Sequence, residues 1–177
     1  KRVKAVATST MYDMTRVMSK GYNDATTLEQ RTKTLEQLGE QRWKDAEAGT
    51  FAYGPEYNKA PKDDDPQFIK EYYDYYRTPR GYHERSVNSG NSWTATTPLS
   101  FMNMPILTYI KEISPRPLLI IAGEKAHSRY FSETAFENAN EPKELVIVPN
   151  AVHIDFYDKI EVIPFDKLER FFRNNLK

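Results

Sequence analysis

The stretch Pro117-Leu118-Leu119-Ile120-Ile121-Ala122-Gly123 is a short, unbroken apolar run that ends on glycine, and Glu124 follows at once. It has the length of a strand and is far too short to span a bilayer. A second run, Glu144-Leu145-Val146-Ile147-Val148-Pro149, lies close behind it. Continuous apolar runs, as opposed to alternating ones, fit strands covered on both faces, as in parallel sheets. Between them, Ser128 to Asn140 carries Tyr130, Phe131, Ala135, Phe136 and Ala139 near helical spacing. Strand, helix, strand is the parallel crossover unit.

Working outward, Val3 to Thr8 reads as a further strand and Val162 to Leu176 as an amphipathic terminal helix, with Phe165, Leu168, Phe171 and Phe172 on one side. The fold class is therefore α/β, with parallel strands flanked by helices. About a hundred residues separate the first two strands, and excursions of that length are usually lids or binding elements. Within this excursion, Thr26 to Ala48 predicts a helix with a capping box from Thr26 to Glu29 and an end at Gly49. Pro61 to Pro66 predicts a turn and helix start, Phe68 to Arg77 a helix, Ser86 to Ser92 an irregular loop, and Pro98 to Ile113 a helix returning to the sheet.

Composition narrows the partners. Lys plus Arg and Asp plus Glu both total 25, so no global charge recruits nucleic acid or an anionic membrane. No apolar run is long enough for a membrane span. Cysteine is absent, which rules out a disulfide framework or a thiolate site and leaves the compartment open. Three scattered histidines without an H-E-x-x-H pattern make no metal site, and no glycine-rich phosphate loop occurs. No cofactor is expected.

His153 is the most informative side chain. It stands in Pro149-Asn150-Ala151-Val152-His153-Ile154-Asp155, just past an apolar strand. Loops beyond the carboxyl ends of parallel strands are where such sheets place ligands and chemistry. Histidine there can act as a general base because its pKa lies near neutrality; the plainer reading is a loop histidine bonded to a nearby carbonyl. Glu124 ends the other strand on the same edge, where a carboxylate could orient an imidazole, or simply pair with Lys125, Arg129 or water.

Together with Arg2 to Ala7, Ser92-Trp93-Thr94-Ala95-Thr96-Thr97-Pro98 and Pro115 to Glu124, the His153 loop resembles the α/β-hydrolase family. The similarity is to a bacterial group near the dienelactone hydrolases and acetyl-xylan-type esterases. It covers the whole chain, as the back half of that fold, with residues 20–97 a lid-like insertion. The resemblance implies a serine hydrolase acting on a small or medium acyl ester, with His153 as base and a carboxylate from this chain. The family's G-x-S-x-G nucleophile elbow does not occur here, so the resemblance places it upstream of Lys1. An aspartate common in the family falls at Ala126, so the acid role passes to Glu124, with Glu133 second. Asp155 and Asp158 follow the histidine too closely to be preferred, while His127 and Ser128 are placed to shape the site or hold the acid loop.

Trp93 is the candidate for a substrate-pocket wall. The insertion's tyrosines, Tyr53, Tyr57, Tyr72, Tyr73, Tyr75, Tyr76 and Tyr82, read mostly as lid packing, and His83 as an exposed histidine. A three-stranded sheet would leave the first strand with an apolar edge, so the chain is expected to form a homo-oligomer or to bind a missing N-terminal half. Two rivals stand beside the esterase: a non-catalytic α/β-hydrolase-like binding module, and an independently folded interaction domain.

Overall fold

The computed structural model describes residues 2–55, 59–85 and 93–176. In chain order the elements are β1 (Val6–Ser9), α1 (Met14–Lys20), α2 (Leu28–Ala48), α3 (Gln67–Arg77), α4 (Pro98–Met102), β2 (Leu118–Gly123), α5 (Arg129–Asn138), β3 (Lys143–Val148), α6 (Asp155–Asp158) and α7 (Phe165–Asn175). Short 3₁₀ turns lie at Tyr22–Asp24 and Ile110–Ile113.

The chain divides into two compact units, Lys1–Asp13 with Ile106–Lys177, and Met14–Pro105. The first holds a parallel sheet in the order β1-β2-β3, with Val6 beside Leu118 and Leu118 beside Lys143. All six residues of β2 are buried, as its unbroken apolar sequence requires of a central strand. One sheet face packs Leu118 and Ile120 against Ala135 of α5 and Ala139 just past its end; the other packs Leu119 and Ile121 with Ala151, Phe156, Leu168 and Phe171. Helices thus cover both faces, the layering that α/β proteins use to bury a parallel sheet. Lys143 secures the crossover by directing its Nζ to the carbonyls of Phe136 and Ala139 at the end of α5, at 2.6 and 2.8 Å.

The second unit is helical. Its long helix α2 is capped by Thr27 and Gln30, whose side chains each take the other's backbone N–H. The capping box therefore sits one residue later than the Thr26–Glu29 pair read from the sequence. The helix ends at Gly49 with φ 64°, a left-handed turn that glycine adopts without a Cβ penalty.

Strands and helices otherwise differ from expectation mainly at their ends. β1 begins at Val6 instead of Val3. The helix expected over Pro98 to Ile113 is two short pieces, Pro98–Met102 and a 3₁₀ turn at Ile110–Ile113. Pro105 lies between them, and a proline disfavours helix at the residue before it and removes a donor from the next turn. Two short helices, α1 and α6, carry too few apolar residues to show as a period in the sequence. The expected loop at Ser86 to Ser92 lies outside the described residues, as does Tyr57.

Candidate active site around His153

β2 and β3 end side by side, and the loops that leave them are laced together. Glu124 N–H donates to the Val148 carbonyl at 2.9 Å, and Lys125 N–H to the Ala151 carbonyl at 2.9 Å. In return Asn150 N–H donates to Glu124 Oε2 at 2.8 Å. Asn150 has φ 58°, a left-handed conformation that asparagine tolerates better than most residues. Gly123 is needed for a different reason. A Cβ there would lie 2.3 Å from the Ala151 carbonyl oxygen, so no larger residue fits between the loops. This lacing carries the chain around to His153.

His153 is 3% exposed. Its Nδ1 lies 2.5 Å from Ser128 Oγ and 2.9 Å from Thr10 Oγ1, both buried. Thr10 follows β1 with φ 46°, and its N–H donates to the Ile121 carbonyl at 2.8 Å. A strained non-glycine residue directly after a strand thus delivers a hydroxyl to the imidazole. On the other side of the ring, Nε2 lies 2.8 Å from the Tyr157 hydroxyl. Three rings enclose the histidine: Tyr12 edge-on at 5.9 Å, His127 at 5.1 Å and Tyr157 edge-on at 5.5 Å between centroids.

This setting keeps the imidazole uncharged. Burial, reinforced by the nearby His127, pushes the His153 pKa down to about 3, and burial pushes His127 down to about 4. A neutral imidazole has one donor and one acceptor nitrogen. With the proton on Nδ1, it donates toward Ser128 or Thr10 and Nε2 accepts from Tyr157 O–H. With the proton on Nε2, the directions reverse.

The residues read from the sequence fall out as follows. His153 and Glu124 lie at the same, carboxyl-terminal edge of the sheet, but the Glu124 carboxylate bonds to Asn150 N–H instead of the His153 ring. Glu133 pairs with Arg129 at 2.8 Å, one helical turn away on α5. Ser128, placed on the acid loop by its sequence position, is the closest hydroxyl to Nδ1. Trp93 belongs to the second unit, where it stacks on Phe101 with centroids 5.8 Å apart. Thr10, Tyr12 and Tyr157 were not legible as site residues. Thr10 and Tyr12 sit far from His153 in sequence, and only strand pairing brings them to it; Tyr157, at the fourth residue after His153, carried a helical-spacing signal that could have found it. Among the described residues no group of histidines and carboxylates could hold a metal ion, and no helix is long and apolar enough to cross a membrane.

A small parallel sheet covered by helices, with a buried histidine past its last strand, distantly resembles proteins of the α/β-hydrolase fold. Two solved structures show this. The α/β hydrolase GrgF from Penicillium sp. sh18 superposes with a TM-score of 0.60 at 21% identity, covering 84% of this chain and 51% of that one. DcsB, solved in complex with its substrate analogue, gives 0.70 at 17% identity, covering 98% and 57%. At such identities the likeness is one of fold. Much nearer is PA2218 of Pseudomonas aeruginosa, an uncharacterized protein 72% identical over 176 residues. Its crystal structure superposes with a TM-score of 0.93 over 98% of this chain and 54% of that one. The match takes in 99% of this chain and 47% of PA2218, so the chain spans about half the length of that relative. No family model matches the sequence.

Proposed function

We propose that this chain is the C-terminal portion of a serine hydrolase acting on a small or medium acyl ester, and that His153 is its general base. The observation that carries the reading is the His153 ring itself. It lies past the carboxyl end of β3, is held neutral, has Nδ1 anchored by two buried hydroxyls and offers Nε2 to a third. A base must be unprotonated, oriented through one nitrogen and open to a hydroxyl through the other. The nucleophile in this reading is a serine upstream of Lys1, and residues 20–97 form a lid-like insertion. Glu124 is the acid in this reading, and to reach the ring its carboxylate must leave the Asn150 N–H from which it accepts. The apolar edge of β1 is covered by the N-terminal half or by a second copy of the chain.

The test is chemical labelling of a form extended upstream of Lys1. A fluorophosphonate should attach to one upstream serine, and His153→Ala should abolish labelling in a protein that still folds. Labelling that survives the loss of His153 would remove the histidine from the reaction.

A second reading, a non-catalytic hydrolase-like binding module, is favoured by one specific feature. Nδ1 meets hydroxyls where a triad would present a carboxylate, and an imidazole with a pKa of about 3 is a weak base. An extended form that folds, binds acyl esters and never turns them over would establish it.

A further inference from the structure

We propose that Tyr157 is a positioning residue of the His153 site, its hydroxyl standing on Nε2 in the place that a nucleophile's hydroxyl must take. The proposal rests on the reading of His153 as a base and specifies how that base is held before it is used. Of the three rings around His153, Tyr12 and His127 are only partly exposed, whereas Tyr157 is 37% exposed. Nδ1 faces inward to Ser128 and Thr10, so the Nε2 side of the ring is the side nearest solvent, and Tyr157 closes it.

The chemistry of the contact fits a placeholder. A phenol donates and accepts, and at 2.8 Å it makes with Nε2 the same O–H···N bond that a serine makes with its general base. Donation from Tyr157 selects the tautomer with the proton on Nδ1 and the lone pair on Nε2, which is the tautomer a base requires. Two hydroxyls cannot share that lone pair. A nucleophile therefore engages His153 only once the Tyr157 hydroxyl has moved aside. The local structure allows this movement. α6 is a single turn ending at Asp158, and residues 157–160 are all exposed, so Tyr157 has solvent beside it into which the ring can turn.

The experiment is carbethoxylation by diethyl pyrocarbonate at pH 7, which attacks the imidazole lone pair, read by mass spectrometry on the peptide that carries His153. Tyr157→Phe keeps the ring and removes the hydroxyl. Modification of His153 should be faster in the variant by about tenfold, the order of effect of one net hydrogen bond, while exposed His83 reacts at the same rate in both. Equal rates at His153, including no reaction in either protein, would overturn the proposal. Should the variant fail to fold, nitrogen-15 spectra of the wild-type chain decide: a protonated Nδ1 with a hydrogen-bonded, unprotonated Nε2 is expected, and the opposite tautomer would overturn it. Neither measurement involves ester hydrolysis, so a failure of the Tyr157 contact and a failure of the hydrolase reading are read separately.

Discussion

The carbonyl oxygen of Ala151 lies 2.3 Å from where a Cβ on Gly123 would be, so the end of β2 and the loop that carries His153 fit together only because residue 123 has no side chain. The atoms in the way are backbone atoms, which cannot swing clear as a flexible side chain would. Gly123→Ala should force the two loops apart and destabilise the protein by about 2 kcal/mol or more, in the range of overpacked cores. A denaturant titration of the variant measures this. A midpoint unchanged from wild type would mean that the loops are less closely laced than described.

Acid should weaken the fold through the buried histidines. Both His153 and His127 have pKa values held below the ordinary value of 6.5, at about 3 and about 4. Between those values and 6.5 the unfolded chain binds protons that the folded chain does not, so stability falls as pH drops through that window. The losses end once pH passes below the folded values. Urea midpoints should therefore be lower at pH 4.5 than at pH 7, and His153→Gln, which cannot titrate, should reduce that difference. An equal difference in the variant would show that His153 is not held neutral.

Ser128 anchors the imidazole from within, and Ser128→Ala should loosen it. The serine is buried and lies 2.5 Å from Nδ1, so its loss leaves Thr10 as the hydroxyl on that nitrogen. A stability loss of about 1 kcal/mol is expected, with the His153 ring resonances broadened or shifted in the nuclear magnetic resonance spectrum. Sharp, unmoved resonances would assign the anchoring to Thr10 alone.

Much of the architecture was legible because burial leaves a plain trace in sequence. β2 and β3 read as parallel strands from their unbroken apolar runs, and α5 and α7 from apolar residues at helical spacing, since each of these elements packs against the sheet. Less was visible where an element has little to bury. β1 lost its first three expected residues, and Val3 is largely exposed. The returning helix broke at Pro105, where local backbone chemistry overrode the apolar pattern. The site divides the same way. His153 and Glu124 stood out because each follows an apolar strand, and the sequence placed both on one edge of the sheet. It could not show that the Glu124 carboxylate reaches Asn150 N–H, nor that Thr10 reaches the ring across 143 residues of chain, because such contacts depend on loop conformations with no periodic signature.

The central claim is that His153 is the base for a nucleophile that this chain does not itself contain, and turnover of a small aryl ester tests it most directly. The account predicts no hydrolysis above background by the 177-residue chain, hydrolysis by the upstream-extended form, and a loss of about a thousandfold or more in that form's kcat/KM on His153→Ala. Turnover by the 177-residue chain, or an extended form whose activity survives His153→Ala, would contradict it.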